Sequence, residues 1–134
     1  MSAQGLPPDA RVRRRPEFER AYNTGVRIHG RFMTLFVVAN GGTQARLGVA
    51  ASKKVGPAVD RNRAKRRARE LFRRHKLAAG LDIVIVPRRE MLDAPFASLE
   101  TDYLAALDRR TRERPRTPGD RSRGRRGARP AARV

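Results

Sequence analysis

The stretch that decides the fold lies between Gly56 and Lys76 and reads GPAVDRNRAKRRARELFRRHK. Proline is favoured in the first helical turn, so Gly56 and Pro57 indicate a helix start. At 100° per residue the side chains suited to a core fall on one arc. They are Ala64, Ala68, Leu71, Phe72 and His75. The pattern predicts an amphipathic helix over about residues 57–77, packed on a core through this stripe.

The remaining surface of this helix is basic. Residues 57–76 carry nine basic residues and two acids. The predicted outward arc holds Asn62, Arg66, Arg69 and Arg73, flanked by Lys65 and Lys76 on one side and by Arg63, Arg67 and Arg74 on the other. Like charges at i, i+4 repel by ~0.2–0.5 kcal/mol per pair, and a phosphate backbone would relieve that repulsion. We therefore predict a nucleic-acid-binding face. A solvated charged face is the alternative, and helix geometry alone does not choose RNA over DNA.

The sequence before this helix predicts one short helix and a hairpin. Pro16 begins a helix over residues 16–24, which places Phe18, Ala21 and Tyr22 on one face. Residues 26–29 and 32–39 are predicted strands, and Asn40-Gly41-Gly42 is typical of a hairpin turn leading to a returning strand at 45–51. That last strand has small residues at alternate positions, so one of its faces admits a close neighbour. They are Gly48, Ala50 and Ser52.

The sequence after this helix predicts a buried strand and a last helix. Residues 81–86 are apolar except for Asp82, which favours a strand covered on both faces. Asp93 to Pro95 precede a helical period of apolar residues. They are Phe96, Leu99, Tyr103, Ala106 and Leu107. We predict a folded domain at 11–110 between disordered segments at 1–10 and 111–134.

The net charge of +19 points to a polyanionic partner. The segment 111–134 has nine Arg and two acids, so residues 1–110 still carry +12 and the folded part is itself basic. The longest apolar run, Phe32 to Ala39, is too short to span a membrane, and no signal-peptide pattern is present. Together with the absence of cysteine, this predicts a cytoplasmic protein without a membrane partner.

No pattern in the chain is typical of a protein-borne nuclease site. Ser/His/Asp groupings, paired carboxylates and metal-ligand spacings are all missing from the sequence. His29 and His75 are isolated, and His75 lies on the apolar arc, where packing is the expected role. We therefore predict no catalytic residue and no metal ligand in the protein.

The run from Arg46 to Arg73 resembles the signature of the bacterial ribonuclease P protein component. It reads RLGVAASKKVGPAVDRNRAKRRARELFR and matches the family's aliphatic-Gly, Ser-Lys-Lys, Arg-Asn-Arg-x-Lys-Arg and Arg-Glu-x-Phe-Arg elements. Arg15 to Gly25 resembles the family's first helix, and Asp82 to Arg88 its last strand. The resemblance covers about residues 11–110.

The resemblance implies an α+β fold: a compact α/β sandwich like the second domain of ribosomal small-subunit protein 5. It implies a mixed sheet of about four strands, with a left-handed βαβ crossover that carries the basic helix. It further implies a subunit of an endoribonuclease that removes the 5′ leader from precursor tRNA. The partners would be the ribonuclease P RNA and precursor tRNA, with no further protein partner required. Mg²⁺ would be held mainly by the RNA, which carries the catalytic centre.

Carried over residue by residue, the resemblance implies two binding surfaces. The surface for the RNA subunit would consist of Lys53, Lys54, Arg61, Asn62, Arg63, Lys65, Arg66 and Arg69. The cleft for the leader would consist of Phe18, Tyr22, Phe36, Ser52 and Arg88. Aromatic rings stack on unpaired bases whatever their sequence, which suits a subunit that accepts many leaders. The alternative role for these aromatic residues is core packing, and for Phe18 the sequence supports core packing and leader binding equally.

Two other functions fit parts of the sequence. A basic ribosomal or ribosome-assembly protein would share the charge and the fold without a nuclease role, because one fold hosts many functions. A DNA-binding regulator would show a dimer seam or a helix-turn-helix pair, and the sequence has neither.

Overall fold

The computed structural model describes residues 10–75 and 77–110. The elements are α1 (Arg15–Thr24), β1 (Val26–His29), β2 (Met33–Ala39), β3 (Arg46–Val49), α2 (Ala58–Arg74), β4 (Leu81–Pro87), a 3₁₀ turn (Arg89–Leu92) and α3 (Phe96–Arg110). The predicted helices and strands are all present, while the 3₁₀ turn was not predicted. Except for Ala10, the segments predicted to be disordered lie outside the described residues.

The four strands form one mixed sheet in the order β1-β2-β4-β3. β2 is antiparallel to both β1 and β4, whereas β3 is parallel to β4, so α2 connects two parallel neighbours. The predicted hairpin between β2 and β3 is therefore wrong, because β4 lies between these two strands. β4 is largely apolar, and in this central position it pairs with β2 on one edge and with β3 on the other.

The two faces of the sheet are covered by different helices. α1 packs on one face, where Ala21 contacts a small cluster built on Phe36, Val84 and Val86. The opposite face forms the main core under α2 and α3. It includes Leu35, Ile83, Ile85, Leu71, Leu99 and Tyr103. Because strand side chains alternate between faces, the neighbouring residues Leu35 and Phe36 enter different layers.

The basic helix α2 packs as its periodicity predicts. Ala64, Ala68, Leu71 and Phe72 are buried, which leaves the cationic arc pointing away from the core. The helix ends earlier than the predicted residue 77, because His75 leaves helical geometry (φ −129°, ψ 74°). The His75 backbone N–H still donates to the carbonyl of Leu71 and closes the last turn.

Candidate nucleic-acid interface

The outward surface of α2 carries a row of three cations without acidic partners, while Arg73 on the same arc pairs with Glu70. Lys65, Arg66 and Arg69 make no hydrogen bond or ion pair to a carboxylate within residues 10–75 and 77–110. Arg66 is exposed, while Lys65 and Arg69 are half-buried. Three positive charges within two helical turns, with no counter-charge of their own, form a site for a polyanion.

Arg69 carries the clearest electrostatic signature of this surface. Burial lowers the pKa of its guanidinium, and the charges of Arg11 and Arg66 lower it further. The charged form of Arg69 is therefore destabilised, and the negative charge of a nearby phosphate would relieve this destabilisation. Arg11 comes from the segment before α1, which pairs with Leu47 at the free edge of β3. The basic surface thus extends from α2 across this edge of the sheet.

A second group of α2 arginines is engaged inside the fold. Arg63 donates to the Leu92 carbonyl at 2.6 Å and lies 3.3 Å from Asp93. Arg67 donates to the Ala94 carbonyl, and Arg74 lies over the Phe96 ring, 4.8 Å from its centroid. These side chains fasten α2 to the segment that leads into α3. Of these three arginines, only Arg63 was assigned to the RNA surface from the sequence, and its guanidinium group already donates to a backbone carbonyl.

The remaining residues predicted for the RNA surface lie around the start of α2. Lys53 and Lys54 are exposed in the turn after β3, and Asn62 is exposed on the helix. Arg61 is half-buried because its guanidinium donates to the Gly56 carbonyl at 3.0 Å. The Ser52 hydroxyl accepts from the Lys54 backbone N–H at 3.2 Å and so helps to shape this turn. The turn and the helix together present one continuous basic face.

The aromatic residues predicted for the leader cleft lie together between α1 and the sheet. Tyr22 is half-buried and meets Phe36 edge-to-face, with ring centroids 4.9 Å apart. Phe36 itself is only 1% exposed, so it supports Tyr22 from below and presents no free ring face. The prediction that Phe36 contacts a base directly therefore does not fit its position. Phe36 is buried because it lies in the central strand β2, on the face that α1 covers.

Phe18 takes part in packing as well as in the cleft wall. A Cβ atom built on Gly48 would lie 2.9 Å from Cζ of Phe18, so this ring rests directly on the glycine. The small face predicted for β3 is thus occupied by Phe18. The half-buried ring still flanks Tyr22, with centroids 6.4 Å apart.

Polar side chains gather around Thr34, which shares a face of β2 with Phe36. Arg88 is exposed and lies 3.4 Å from the Thr34 hydroxyl, which is also 3.2 Å from Nδ1 of His29. Ser52 is half-buried in the segment that follows β3. Thr34 and His29 were missed from the sequence because a lone threonine in a strand and an isolated histidine carry no distinctive pattern. The pairing of β1 with β2 brings His29 to Thr34, and the pairing of β2 with β4 brings Arg88 to the same threonine.

The described residues contain no cluster of three or more His, Asp or Glu side chains able to hold a metal ion. His75 lies with Nε2 3.0 Å from Oε2 of Glu100, in the packing between α2 and α3. Within residues 10–75 and 77–110, no helix is long and apolar enough to cross a bilayer.

A mixed sheet with a cationic helix on one side and an aromatic cluster beside α1 on the other defines an α+β nucleic-acid-binding protein. The model of the Ribonuclease P family matches residues 6–111. A ribonuclease P protein component from Desulfovibrio desulfuricans is 40% identical over 116 residues, which cover 82% of this chain and 89% of the relative. The chain belongs to the ribonuclease P protein family.

Solved structures agree with this assignment. The RNase P protein of Staphylococcus aureus superposes with a TM-score of 0.65 at 31% identity, covering 74% of this chain and 93% of that one. The RNase P protein of Thermotoga maritima gives a TM-score of 0.66 at 31% identity, covering 74% and 96%. The resemblance stated from the sequence motifs and the predicted fold class are both confirmed.

Proposed function

We propose that this chain binds the ribonuclease P RNA through the outward face of α2 and holds the 5′ leader of precursor tRNA in the cleft beside α1. The observation that carries the proposal is the row of Lys65, Arg66 and Arg69, which lack carboxylate partners in the described part of the chain. A phosphate backbone laid along this row gains charge-assisted hydrogen bonds and displaces counterions.

The cleft supports the second half of the proposal. The Tyr22 side chain presents an aromatic ring and a hydroxyl group, and the edge-to-face contact with Phe36 holds the ring in place. A single-stranded leader can stack a base there and bring a phosphate to Arg88. Stacking does not depend on base identity, so the same cleft accepts leaders of different sequence.

The chemical step in this proposal belongs to the RNA. Magnesium ions held mainly by the RNA would supply the activated water for hydrolysis of the phosphodiester bond. The contribution of the protein is to position the substrate and to screen the charge of two RNA molecules brought together. The assembled enzyme would work in the cytoplasm, with the RNA subunit and precursor tRNA as its partners.

The experiment compares two double variants that remove the same charge from the same helix. Arg66→Ala/Arg69→Ala removes two of the three cations of the outward row, whereas Arg73→Ala/Arg74→Ala removes arginines that already pair with Glu70. Titration of the RNA subunit over a range of salt concentrations gives the dissociation constant and its salt dependence. We expect the first variant to lower the slope of log Kd against log salt by about one to two and the second to change it less. Equal losses would mean that only total charge matters and would reject the assigned face.

A further inference from the structure

A basic concavity lies on the side of α1 that faces away from Tyr22. It has a volume of about 850 Å³ and lies between the N-terminal arm, α1 and the loop that joins β2 to β3. Its charged lining residues are Arg11, Arg13, Arg14, Glu17, Arg20 and Arg46. Glu17 and Arg20 project from α1 on the side opposite Tyr22, so this concavity is separate from the proposed leader cleft.

The floor of the concavity is a closed polar network. Asp82 is fully buried and accepts two hydrogen bonds from Arg46, both at 2.7 Å, and one from Asn40 at 2.8 Å. The third nitrogen of the Arg46 guanidinium lies 3.2 Å from Glu17. With its hydrogen bonds satisfied, the floor does not need a ligand and provides a rigid base.

The rim above this floor carries charge that the floor does not neutralise. Glu17 is held by Arg46 and accepts the backbone N–H groups of Arg13 and Arg14. Burial acts to raise the pKa of Glu17, but these hydrogen bonds and the Arg46 charge outweigh it, so the pKa is lowered. The side chains of Arg13 and Arg14 are exposed and have no carboxylate partner in the part of the chain that the structure describes. Asp82 is paired with both Arg46 and Arg20, and Glu17 is paired with Arg46, so neither carboxylate is left to neutralise Arg13 and Arg14.

We propose that this concavity binds phosphate groups of an RNA strand, as a site separate from the outward face of α2. The planar guanidinium fork suits phosphate oxygens, and the positive end of the α1 dipole points into the same space. Arg11 lines the concavity and also acts electrostatically on Arg69, so one cationic surface runs from α2 around the β3 edge to Arg13 and Arg14. This inference rests on the proposed function, since it extends the path of RNA on the same protein.

The phosphates can come from the RNA subunit or from the leader of precursor tRNA, and two titrations distinguish these sources. Arg13→Ala/Arg14→Ala is compared with Arg15→Ala/Arg31→Ala, which removes the same charge from exposed positions outside the concavity. One titration uses the RNA subunit alone. The other compares precursor with mature tRNA on the assembled enzyme.

We expect the first variant to lower the salt slope by about one to two in one of these titrations and the control to change it less. A change with the RNA subunit assigns the phosphates to that RNA, and a change only with precursor tRNA assigns them to the leader. If both variants behave alike in both titrations, the inference is wrong. If the unaltered protein fails to bind the RNA subunit, the proposed function itself fails, so the two failures are distinguishable.

A second measurement does not depend on affinity. Because the chain has no cysteine, Arg14→Cys provides a single thiol for a tethered iron chelate that cleaves nearby RNA. Leu104→Cys on α3 is the matched control, since Leu104 is exposed and lies outside the concavity. We expect the Arg14 tether to give localised cuts in one RNA strand of the assembled enzyme that the Leu104 tether does not give. Identical or absent cutting from the two tethers would overturn the proposal.

Discussion

Replacement of Tyr22 by alanine tests whether the cleft beside α1 holds the leader. Only precursor tRNA has a leader, so the informative quantity is the ratio of the affinities for precursor and mature tRNA. The ring of Tyr22 is half-buried, and its edge-to-face contact with Phe36 holds it in place. The variant removes the accessible ring and leaves the α2 surface untouched.

The structure sets the expected size of the effect. A base stacked on an aromatic ring contributes about 1–3 kcal/mol, which corresponds to a loss of about 5- to 150-fold in affinity. Removal of Tyr22 also uncovers Phe36, which is 1% exposed in the folded protein and can offer a substitute ring. We therefore expect the lower part of that range, about 5- to 20-fold in the affinity ratio.

The assay is a pair of titrations at fixed salt on the assembled enzyme, one with precursor and one with mature tRNA. Tyr22→Phe is the matched control, because it keeps the ring and removes only the hydroxyl, and we expect it to preserve the ratio. Thermal unfolding of each variant shows whether the fold is retained. An equal loss of both tRNA affinities, or a folded Tyr22→Ala variant with an unchanged ratio, would refute the assignment of Tyr22 to leader binding.

Three further predictions concern stability and the terminal segment. Asp82→Asn leaves Arg46 without its buried charge partner and should destabilise the fold by about 3 kcal/mol, measured by urea unfolding; a loss below the error of that measurement would contradict the network role. The lowered pKa of Glu17 means that its stabilising contribution is present above the unfolded pKa of about 4.3 and is lost as pH falls through the lower folded pKa. Glu17→Gln should therefore be less stable than the unaltered protein at pH 6, with a difference that shrinks in acid, and a constant difference would contradict this. Removal of residues 111–134 should weaken non-specific RNA binding while circular dichroism stays that of the folded domain, and a large loss of helix would show that the segment is structural.

The helices and their buried faces were predictable from the sequence because the helical period determines which side chains face the core. In α2 the apolar arc of Ala64, Ala68, Leu71 and Phe72 is buried as expected, since a 3.6-residue period allows only one core-facing stripe. The small face of β3 was equally informative, because Gly48 lies directly under the ring of Phe18. Local pattern and packing agree at these positions.

Strand pairing was not predictable from the same local signals. Asn40-Gly41-Gly42 indicates a reversal of the chain, but a reversal does not fix which strand becomes the neighbour. β4 inserts between β2 and β3, where the buried carboxylate of Asp82 meets Arg46 and Asn40. These partners are 36 and 42 residues away along the chain, and no local pattern links them.

The division of the α2 arginines into two groups also required the structure. Arg63 and Arg67 are bound by the backbone carbonyls of Leu92 and Ala94, and a carbonyl group has no signal in a sequence. The concavity around Arg13 and Arg14 was missed for a similar reason. The run of basic residues at 11–15 was visible, but its position above the Asp82 network depends on how α1 packs on the sheet.

The most direct test of the account is reconstitution of 5′ processing. Purified protein, the ribonuclease P RNA and a precursor tRNA are combined at a low Mg²⁺ concentration, and each component is also omitted in turn. We predict that the protein alone cleaves nothing, that the RNA alone is nearly inactive under these conditions, and that the two together release the 5′ leader. Cleavage by nuclease-free protein without the RNA, or no stimulation when the protein is added to the RNA, would contradict the account.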